Sequence, residues 1–353
     1  MWLVKVLLSP FALIYWLITK LRNHLFDIGY TKSFTFDRLV IVVGNLSLGG
    51  TGKTPMVEYL VRLLNDQYNI ATLSRGYGRK SQGFKIAGAD DSAESIGDEP
   101  YQLYVKFRPD VKVAVGEDRA LAISSILLDH PEVEALLLDD AFQHRTVRPG
   151  LNILLTPFYQ PFYEDFVLPM GRLREGRSGA ARADAIVVTK CPVDLKVNQT
   201  DKIKGAVSKY APQTPVYFSL IEYDNPRPMI SGSIDECSDR VILVSGIASS
   251  QHLLDYVTEQ YKLVRHLKYR DHHRYSAQDL RQIKDLYDKQ GTEPLSILTT
   301  EKDMVKWLSK SLKPIVEELP VFYLPMQMEF LKNGERFNEM VLNSFDNKRD
   351  NVS

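Results

Sequence analysis

Cysteine is nearly missing: Cys191 and Cys237 are the only two in 353 residues, and no C-x-x-C spacing occurs. That excludes a disulfide framework and a cysteine-built zinc site, and it suits a reducing compartment. A charge excess of one sign is missing as well. Lys plus Arg and Asp plus Glu both total 44, so no basic field points to a nucleic-acid partner. No repeat or low-complexity block breaks the chain, whose length accommodates one large or two ordinary domains. Long uninterrupted apolar runs are scarce too. The nearest is Met1–Ile18, broken by Lys5, Ser9 and Pro10. As a helix it would reach about 27 Å, short of a ~30 Å hydrocarbon core. No small-residue cleavage site follows it, which argues against a signal peptide. Lys20, Arg22 and Lys32 come next, placing positive charge for an anionic membrane surface. The expectation is a membrane-associated helix over residues 1–26, peripheral or monotopic, with the body that follows on the cytoplasmic face. A true span and a buried core helix are the alternatives.

What is present begins with Leu39-Val40-Ile41-Val42-Val43, apolar and mostly β-branched, which reads as a buried strand. Gly44-Asn45-Leu46-Ser47-Leu48-Gly49-Gly50-Thr51-Gly52-Lys53-Thr54 follows, and then an amphipathic helix with Met56-Val57, Leu60-Val61 and Leu63-Leu64. Glycines let backbone N–H groups close around phosphate oxygens, and the helix N-terminus adds partial positive charge. Residues Ser47 to Thr54 are the candidate nucleotide cradle. Lys53 is the side chain that reaches the β/γ-phosphates, and the Thr54 hydroxyl is suited to Mg²⁺. The pattern G-x-x-x-x-G-K-[ST] asks for glycine at position 47, where this chain has Ser47.

Strands are expected at Ile70–Leu73, Val111–Val115, Ala135–Leu138, Asn152–Leu155 and Ala185–Thr189. Helices are expected near Thr54–Asn65, Glu99–Phe107, Arg119–Leu128 and Ala206–Tyr210. The alternation predicts an α/β fold with a doubly wound parallel sheet of the P-loop type, ligands gathering outside the strands' carboxyl ends. A Pro-rich, extended stretch at Pro212–Pro228 precedes a second strand–helix series: strands at Val241–Val244, Leu263–Leu267, Leu295–Leu298 and Val321–Leu324, helices at Ser249–Gln260 and Ala277–Lys289. A nucleotide-binding domain over 27–214 and a smaller α/β domain over 215–353 are therefore expected, with a frayed polar tail at Asp346–Ser353.

Several stretches at strand ends carry chemistry. Ala135–Leu138 runs into Asp139-Asp140, the carboxylates that hold Mg²⁺ beside a P-loop. Ser74-Arg75-Gly76-Tyr77-Gly78-Arg79 follows a strand and reads equally as a turn. Asp98 opens a helix, either as an N-cap or as the acceptor of a substrate hydroxyl proton. Gln143-His144-Arg145 could bind phosphate or merely cover the sheet edge, and Arg172-Leu173-Arg174-Glu175 offers two cations and a carboxylate or reads equally as a solvated charge run. Asp271-His272-His273 carries adjacent histidines that point apart, so one metal shared by both is disfavoured. Thr300-Glu301-Lys302-Asp303 reads as a helix cap with an acid at N3.

Taken together, GNLSLGGTGKTP, LSRGYG, GDEP, DDAFQH, LRE, DHHRY and TEKD resemble one family, the tetraacyldisaccharide 4'-kinases, in order and over nearly the whole chain. The resemblance implies transfer of the ATP γ-phosphate to the 4'-hydroxyl of a tetraacyldisaccharide 1-phosphate, the lipid A precursor, at the cytoplasmic face of a Gram-negative inner membrane. ATP and Mg²⁺ are the implied cofactors, and no protein partner is implied. By the same resemblance Asp98 is the base, oriented by His272, with Lys53 and Asp139 also catalytic. Thr54, Asp139, Asp140 and Glu175 would serve Mg²⁺; Arg75, Arg119, Gln143, Arg174 and Asp271 would contact substrate or phosphate. Ala141 stands where the family usually has glycine, and Gly176 where proline usually follows LRE.

Two rival classes remain. A regulatory GTPase would need [NT]-K-x-D, and Thr189-Lys190-Cys191-Pro192 has proline where the guanine-reading Asp belongs. A membrane-tethered scaffold with a decayed P-loop is opposed by the intact Gly52-Lys53-Thr54 and Asp139-Asp140.

Overall fold

The computed structural model describes residues 2–230, 236–248 and 250–350. The chain forms two compact units and crosses between them repeatedly. Unit 1 comprises Met1–Arg75, Asp110–Ile221 and Met328–Ser353, and unit 2 comprises Gly76–Pro109 and Glu222–Gln327. Residues 76–109, grouped with the nucleotide domain in the linear reading, thus pack with unit 2, and the C-terminal stretch returns to unit 1.

Unit 1 is organised on Leu39–Asn45, seven residues buried without exception. A strand with parallel neighbours on both sides has no solvent face, which is why it reads as a continuous β-branched run rather than an alternation. It pairs with Ala135–Asp139 on one edge and Leu151–Pro157 on the other. The sheet order through this unit is Met326–Lys332, Val216–Tyr223, Ala185–Thr189, Leu151–Pro157, Leu39–Asn45, Ala135–Asp139, Ile70–Ser74, Lys112–Val115. Lys53–Leu64 packs against the two central strands with Met56, Val57, Leu60, Val61 and Leu64 buried. This is the doubly wound α/β arrangement that the alternating pattern predicts.

Unit 2 carries a second sheet, ordered Lys262–Lys268, Arg240–Ser245, Ser296–Thr300, Val321–Leu324, Arg227–Pro228. All its pairings are parallel except the last. Asp98–Phe107 packs on Glu301–Trp307 within this unit.

The N-terminal helix runs unbroken from Trp2 to Asp27, through Pro10. Leu7, Phe11, Ile14, Ile18 and Leu21, spaced four and three apart on one face, are 56–71% exposed. No described helix is long and apolar enough to cross a membrane. The helix expected at Ala206–Tyr210 instead spans Val197–Val207. Only Ile203 and Val207 of it are buried, so its polar early turns give almost no periodic signal. Of the tail expected to fray, residues 346–350 continue a helix over Gly334–Asp350, and residues 351–353 lie outside the described residues.

Gly44, in the central strand, sits hard against the turn after Asp140. A Cβ there would lie 2.6 Å from Phe142 Cβ and 2.8 Å from its backbone N. Gly44→Ala should therefore cost about 1–3 kcal/mol, read as a lower urea midpoint for the unit 1 transition. An unchanged midpoint would mean that the Phe142 turn can retreat.

Candidate active site

The Leu39–Asn45 register decides where the first cluster forms. Val43 lies opposite Asp139, so the acidic strand end arrives beside the point where the glycine-rich loop leaves the sheet. Gly49 and Gly52 adopt φ of +110° and +87°, a region closed to most residues with a Cβ. Ser47 has no positive φ; it is 3% exposed and bridges Leu173. Glycine is unnecessary there, which accounts for the departure from the general pattern.

Neighbouring elements hold the loop. Thr189 Oγ1 donates to the Thr51 carbonyl (2.8 Å) and Lys190 Nζ to the Gly50 carbonyl (2.7 Å). Leu48 N donates to Arg172 O (2.8 Å), and Arg174 N to Leu46 O (2.7 Å). With two loop carbonyls engaged by the Ala185–Thr189 strand end, the geometry favours N–H groups turned toward a ligand.

Asp139 ends its strand 5% exposed, and Asp140 follows at φ +50°. Asp140 receives Lys53 at 3.6 Å and both terminal nitrogens of Arg174, at 2.6 and 3.2 Å. Burial alone would raise the Asp140 pKa, but Lys53 and Arg174 reverse that and hold it below the ordinary carboxylate value. Arg174 also donates to Asn45 Oδ1. Arg119 is 1% exposed and donates to the Gly116 carbonyl, while its Nε and Nη2 are buried without a hydrogen-bond partner. Burial pushes its pKa down to about 10, against the pull of Asp139 and Asp140. Two such N–H groups beside the acidic strand end suit an anionic ligand. Arg75 is exposed, and its charge acts on Arg119 and His144.

Glu175 sits elsewhere in chemical terms. It is 3% exposed; Oε1 accepts from Gln143 Nε2 (2.9 Å) and Arg182 Nη2 (2.7 Å), and Oε2 from Asn23 Nδ2 (2.6 Å). Both oxygens are thus taken by protein donors. Ala141 is buried without strain, and Gly176 begins a 3₁₀ turn where a Cβ would meet the Trp16 indole at 3.0 Å.

Asp98 and His272, 174 positions apart, come together inside unit 2: His272 Nδ1 lies 3.3 Å from Asp98 Oδ2. Linear reading placed them in different domains; the regrouping of residues 76–109 removes that separation. His272 stands at φ +55° with its N–H on Asp271 Oδ1 (3.0 Å), and the Tyr77 ring packs 5.2 Å from the imidazole. His273 turns away to Asp279 at 3.3 Å, and the described residues contain no cluster able to hold a metal by His, Cys, Asp and Glu alone.

Sequence reasoning missed the lysines of this cluster. Thr300 does cap the Glu301–Trp307 helix, accepting from Asp303 N. Lys302 and Lys306, however, run from the same helix to Glu99, Asp271, His272 and Asp98. Their spacing of four, which puts both on one helix face, is the signal that would have found them.

A sequence profile described as tetraacyldisaccharide-1-P 4'-kinase matches residues 4–346. The tetraacyldisaccharide 4'-kinase of Bacteroides thetaiotaomicron is 41% identical over 355 residues, covering 95% of this chain and 92% of that protein. That of Flavobacterium psychrophilum is 42% identical over 348 residues, covering 98% of each. Among solved structures, LpxK from Aquifex aeolicus, crystallised in complex with ATP, matches with a TM-score of 0.75 at 29% identity, covering 97% of this chain and 99% of that one.

The electrostatics of unit 1 yield a direct test at His144. Burial, reinforced by Arg119 and Arg75, pushes this imidazole from 6.5 to about 4, with Asp140 opposing. The ring should stay neutral at pH 7, and histidine ring NMR should follow its titration to that low midpoint. Because the unfolded chain takes a proton that the folded ring refuses, this group's contribution to stability is lost as pH falls from 6.5 toward 4. A midpoint near the ordinary value would mean that the cationic surroundings do not act on the ring.

Proposed function

The chain belongs to the tetraacyldisaccharide-1-P 4'-kinase family, and from that premise we propose that it transfers the γ-phosphate of ATP to the 4'-hydroxyl of a tetraacyldisaccharide 1-phosphate. The observation that carries this reading is the meeting of Lys53 with Asp140 at 3.6 Å, beside Asp139, whose place opposite Val43 is set by the strand register.

Each group has a chemical part. The N–H groups of Leu48 to Lys53 cradle the phosphates, and Lys53 neutralises charge on the group in transfer. Thr54, Asp139 and Asp140 supply the hard oxygens that would hold Mg²⁺, which would offset the phosphate charge. Glu175, with both oxygens engaged, acts through Gln143 rather than as an open ligand. Arg75, Arg119 and Arg174 are the cations for phosphate, with Gln143 and Asp271 as further polar contacts. Asp98 accepts the hydroxyl proton as the sugar oxygen bonds to the γ-phosphorus and the bond to the β-phosphate oxygen breaks, releasing ADP. His272 orients Asp98.

The lipid substrate gives the first helix a purpose. Its exposed apolar stripe, with Lys20, Arg22 and Lys32 nearby, suits a helix lying in the interface of an anionic leaflet, and the positive residues support a body on the cytoplasmic face.

Incubation with labelled ATP, Mg²⁺ and the tetraacyl disaccharide monophosphate should yield a bis-phosphorylated lipid, and GTP should serve poorly. Lys53→Ala should lower that turnover about 10²–10³-fold in a folded protein; near-normal turnover would sink the P-loop assignment.

Membrane attachment is tested by changing exposed positions only. A Leu7→Ser, Phe11→Ser, Ile18→Ser variant should lose most sedimentation with phosphatidylglycerol vesicles while keeping its circular dichroism spectrum. If it pellets as the unchanged protein does, another surface is the anchor.

A further inference from the structure

Asp98 and His272 are not alone. Lys306 Nζ lies 3.6 Å from Asp98 Oδ2 and 2.9 Å from Asp303 Oδ1, its side chain only 6% exposed. Asp303 is fully buried, and its other oxygen accepts from Gly246 N (2.8 Å) and Thr300 Oγ1 (2.8 Å). Lys302 Nζ stands 3.3 Å from each of three atoms: Glu99 Oε1, Asp271 Oδ1 and His272 Nε2.

We propose that Lys302 and Lys306 are positioning residues for the Asp98–His272 pair: Lys306 holds Asp98 as the carboxylate, and Lys302 selects the His272 tautomer protonated on Nδ1. The inference rests on the reading of Asp98 as the base for the sugar hydroxyl.

The tautomer follows from donor and acceptor counting. An ammonium has three donors and no acceptor, so the ring nitrogen facing Lys302 must accept. The proton of a neutral His272 then sits on Nδ1, where it donates to Asp98 Oδ2. Asp271 Oδ2 also faces Nε2, but at 3.8 Å it lies beyond hydrogen-bond reach, so the 3.3 Å Lys302 contact decides the tautomer. Backbone geometry keeps the ring in this place: Asp271 Oδ1 accepts from His272 N and sustains a left-handed φ of +55°.

The charge on Asp98 follows from its neighbours. Burial favours the neutral acid, yet the His272 hydrogen bond and the Lys306 and Lys302 charges outweigh it and hold the pKa below the ordinary value. The other charges on surrounding elements have partners of their own. Lys106 meets Glu301 at 2.8 Å, Lys80 meets Glu94 at 2.7 Å, His273 meets Asp279 at 3.3 Å, and Arg274 donates to the Gly78 carbonyl at 2.8 Å. Both His272 and Lys306 approach Oδ2, which leaves Oδ1 for the hydroxyl. The abstracted proton lands on Asp98 and cannot pass to Nε2 while Lys302 occupies it. His272 is therefore an orienting donor and not a second base.

Full-length protein labelled with ¹⁵N-histidine tests the tautomer without reference to activity. Ring NMR should show the neutral His272 imidazole protonated on Nδ1 and bare on Nε2, and Lys302→Met should shift the tautomer toward Nε2–H. The charge is tested by the pH profile of kcat/KM. Losing a cation beside a carboxylate raises its pKa, so Lys306→Met should move the acidic limb up by about one pH unit or more. Lys306→Arg should largely restore its position. Nε2–H in the unchanged protein, or wild-type acidic limbs in both methionine variants, would overturn the proposal. If Lys306→Met fails to fold by circular dichroism, the Lys302→Met profile and the ring NMR still decide. Asp98→Asn separates the two readings: full activity would remove the base assignment, while the ring NMR would still report on Lys302.

Discussion

The nucleotide end of unit 1 depends on one strand register. With Val43 opposite Asp139 and Asn45 opposite Leu155, the strand ends are staggered along the carboxyl edge of the sheet, Asp139 ending first and Pro157 and Thr189 last. That register places the glycine-rich loop after Asn45, the acidic pair after Leu138, and the end of the Ala185–Thr189 strand, where Thr189 and Lys190 grip the loop carbonyls. A slip of one residue would turn every side chain of the central strand to the opposite face. All seven of its residues are buried between parallel neighbours, so such a slip would also break the packing on both faces at once.

A second constraint is electrostatic and recurs in both units. Carboxylates that the chemistry needs ionised are partly withdrawn from solvent, which favours their neutral form. Unit 1 answers at Asp140 with Lys53 and Arg174, and unit 2 answers at Asp98 with Lys306, Lys302 and the His272 hydrogen bond. In each case the cations come from segments distant in sequence from the acid. The lowered pKa is therefore a property of the fold, and the unfolded chain keeps the ordinary carboxylate value.

That distinction separates what was legible from what was not. The P-loop, the Asp139-Asp140 pair and the central strands could be read because each is local: a β-branched run, glycines at positive φ, a helix with a regular apolar face. Ser47 was visible as a departure, but its explanation needed the bridge to Leu173. The meeting of Asp98 with His272 followed from the family resemblance, yet its cause, the packing of residues 76–109 with unit 2, leaves no periodic trace. Thr300 was correctly read as a cap, and that satisfying local account hid Lys302 and Lys306 beyond it. Glu175 illustrates the converse. The family resemblance makes it a metal ligand, and only the positions of Gln143, Arg182 and Asn23 reveal that its oxygens are occupied.

The N-terminal helix joins these themes, because its two faces are constrained by different physics. Outward it presents the apolar stripe from Leu7 to Leu21. Inward it is tied to the segments that carry the Gln143–Glu175 pair. Tyr15 donates to the Arg174 carbonyl (2.8 Å), Arg22 to the Gln143 carbonyl (2.8 Å), and Asn23 to Glu175, while Arg145 reaches back to Asn23 O and Asp27. Trp16 fills the space left by the missing side chain of Gly176. Each such hydrogen bond is worth only about 0.5–1.5 kcal/mol, but they all bear on one rigid rod. A proline at position 176 would keep the local backbone, since φ there is −63°, but its ring would meet the indole. Gly176 and Trp16 are thus best understood as one adaptation: the loop gives up a side chain so that the helix can lie close to Arg174 and Glu175.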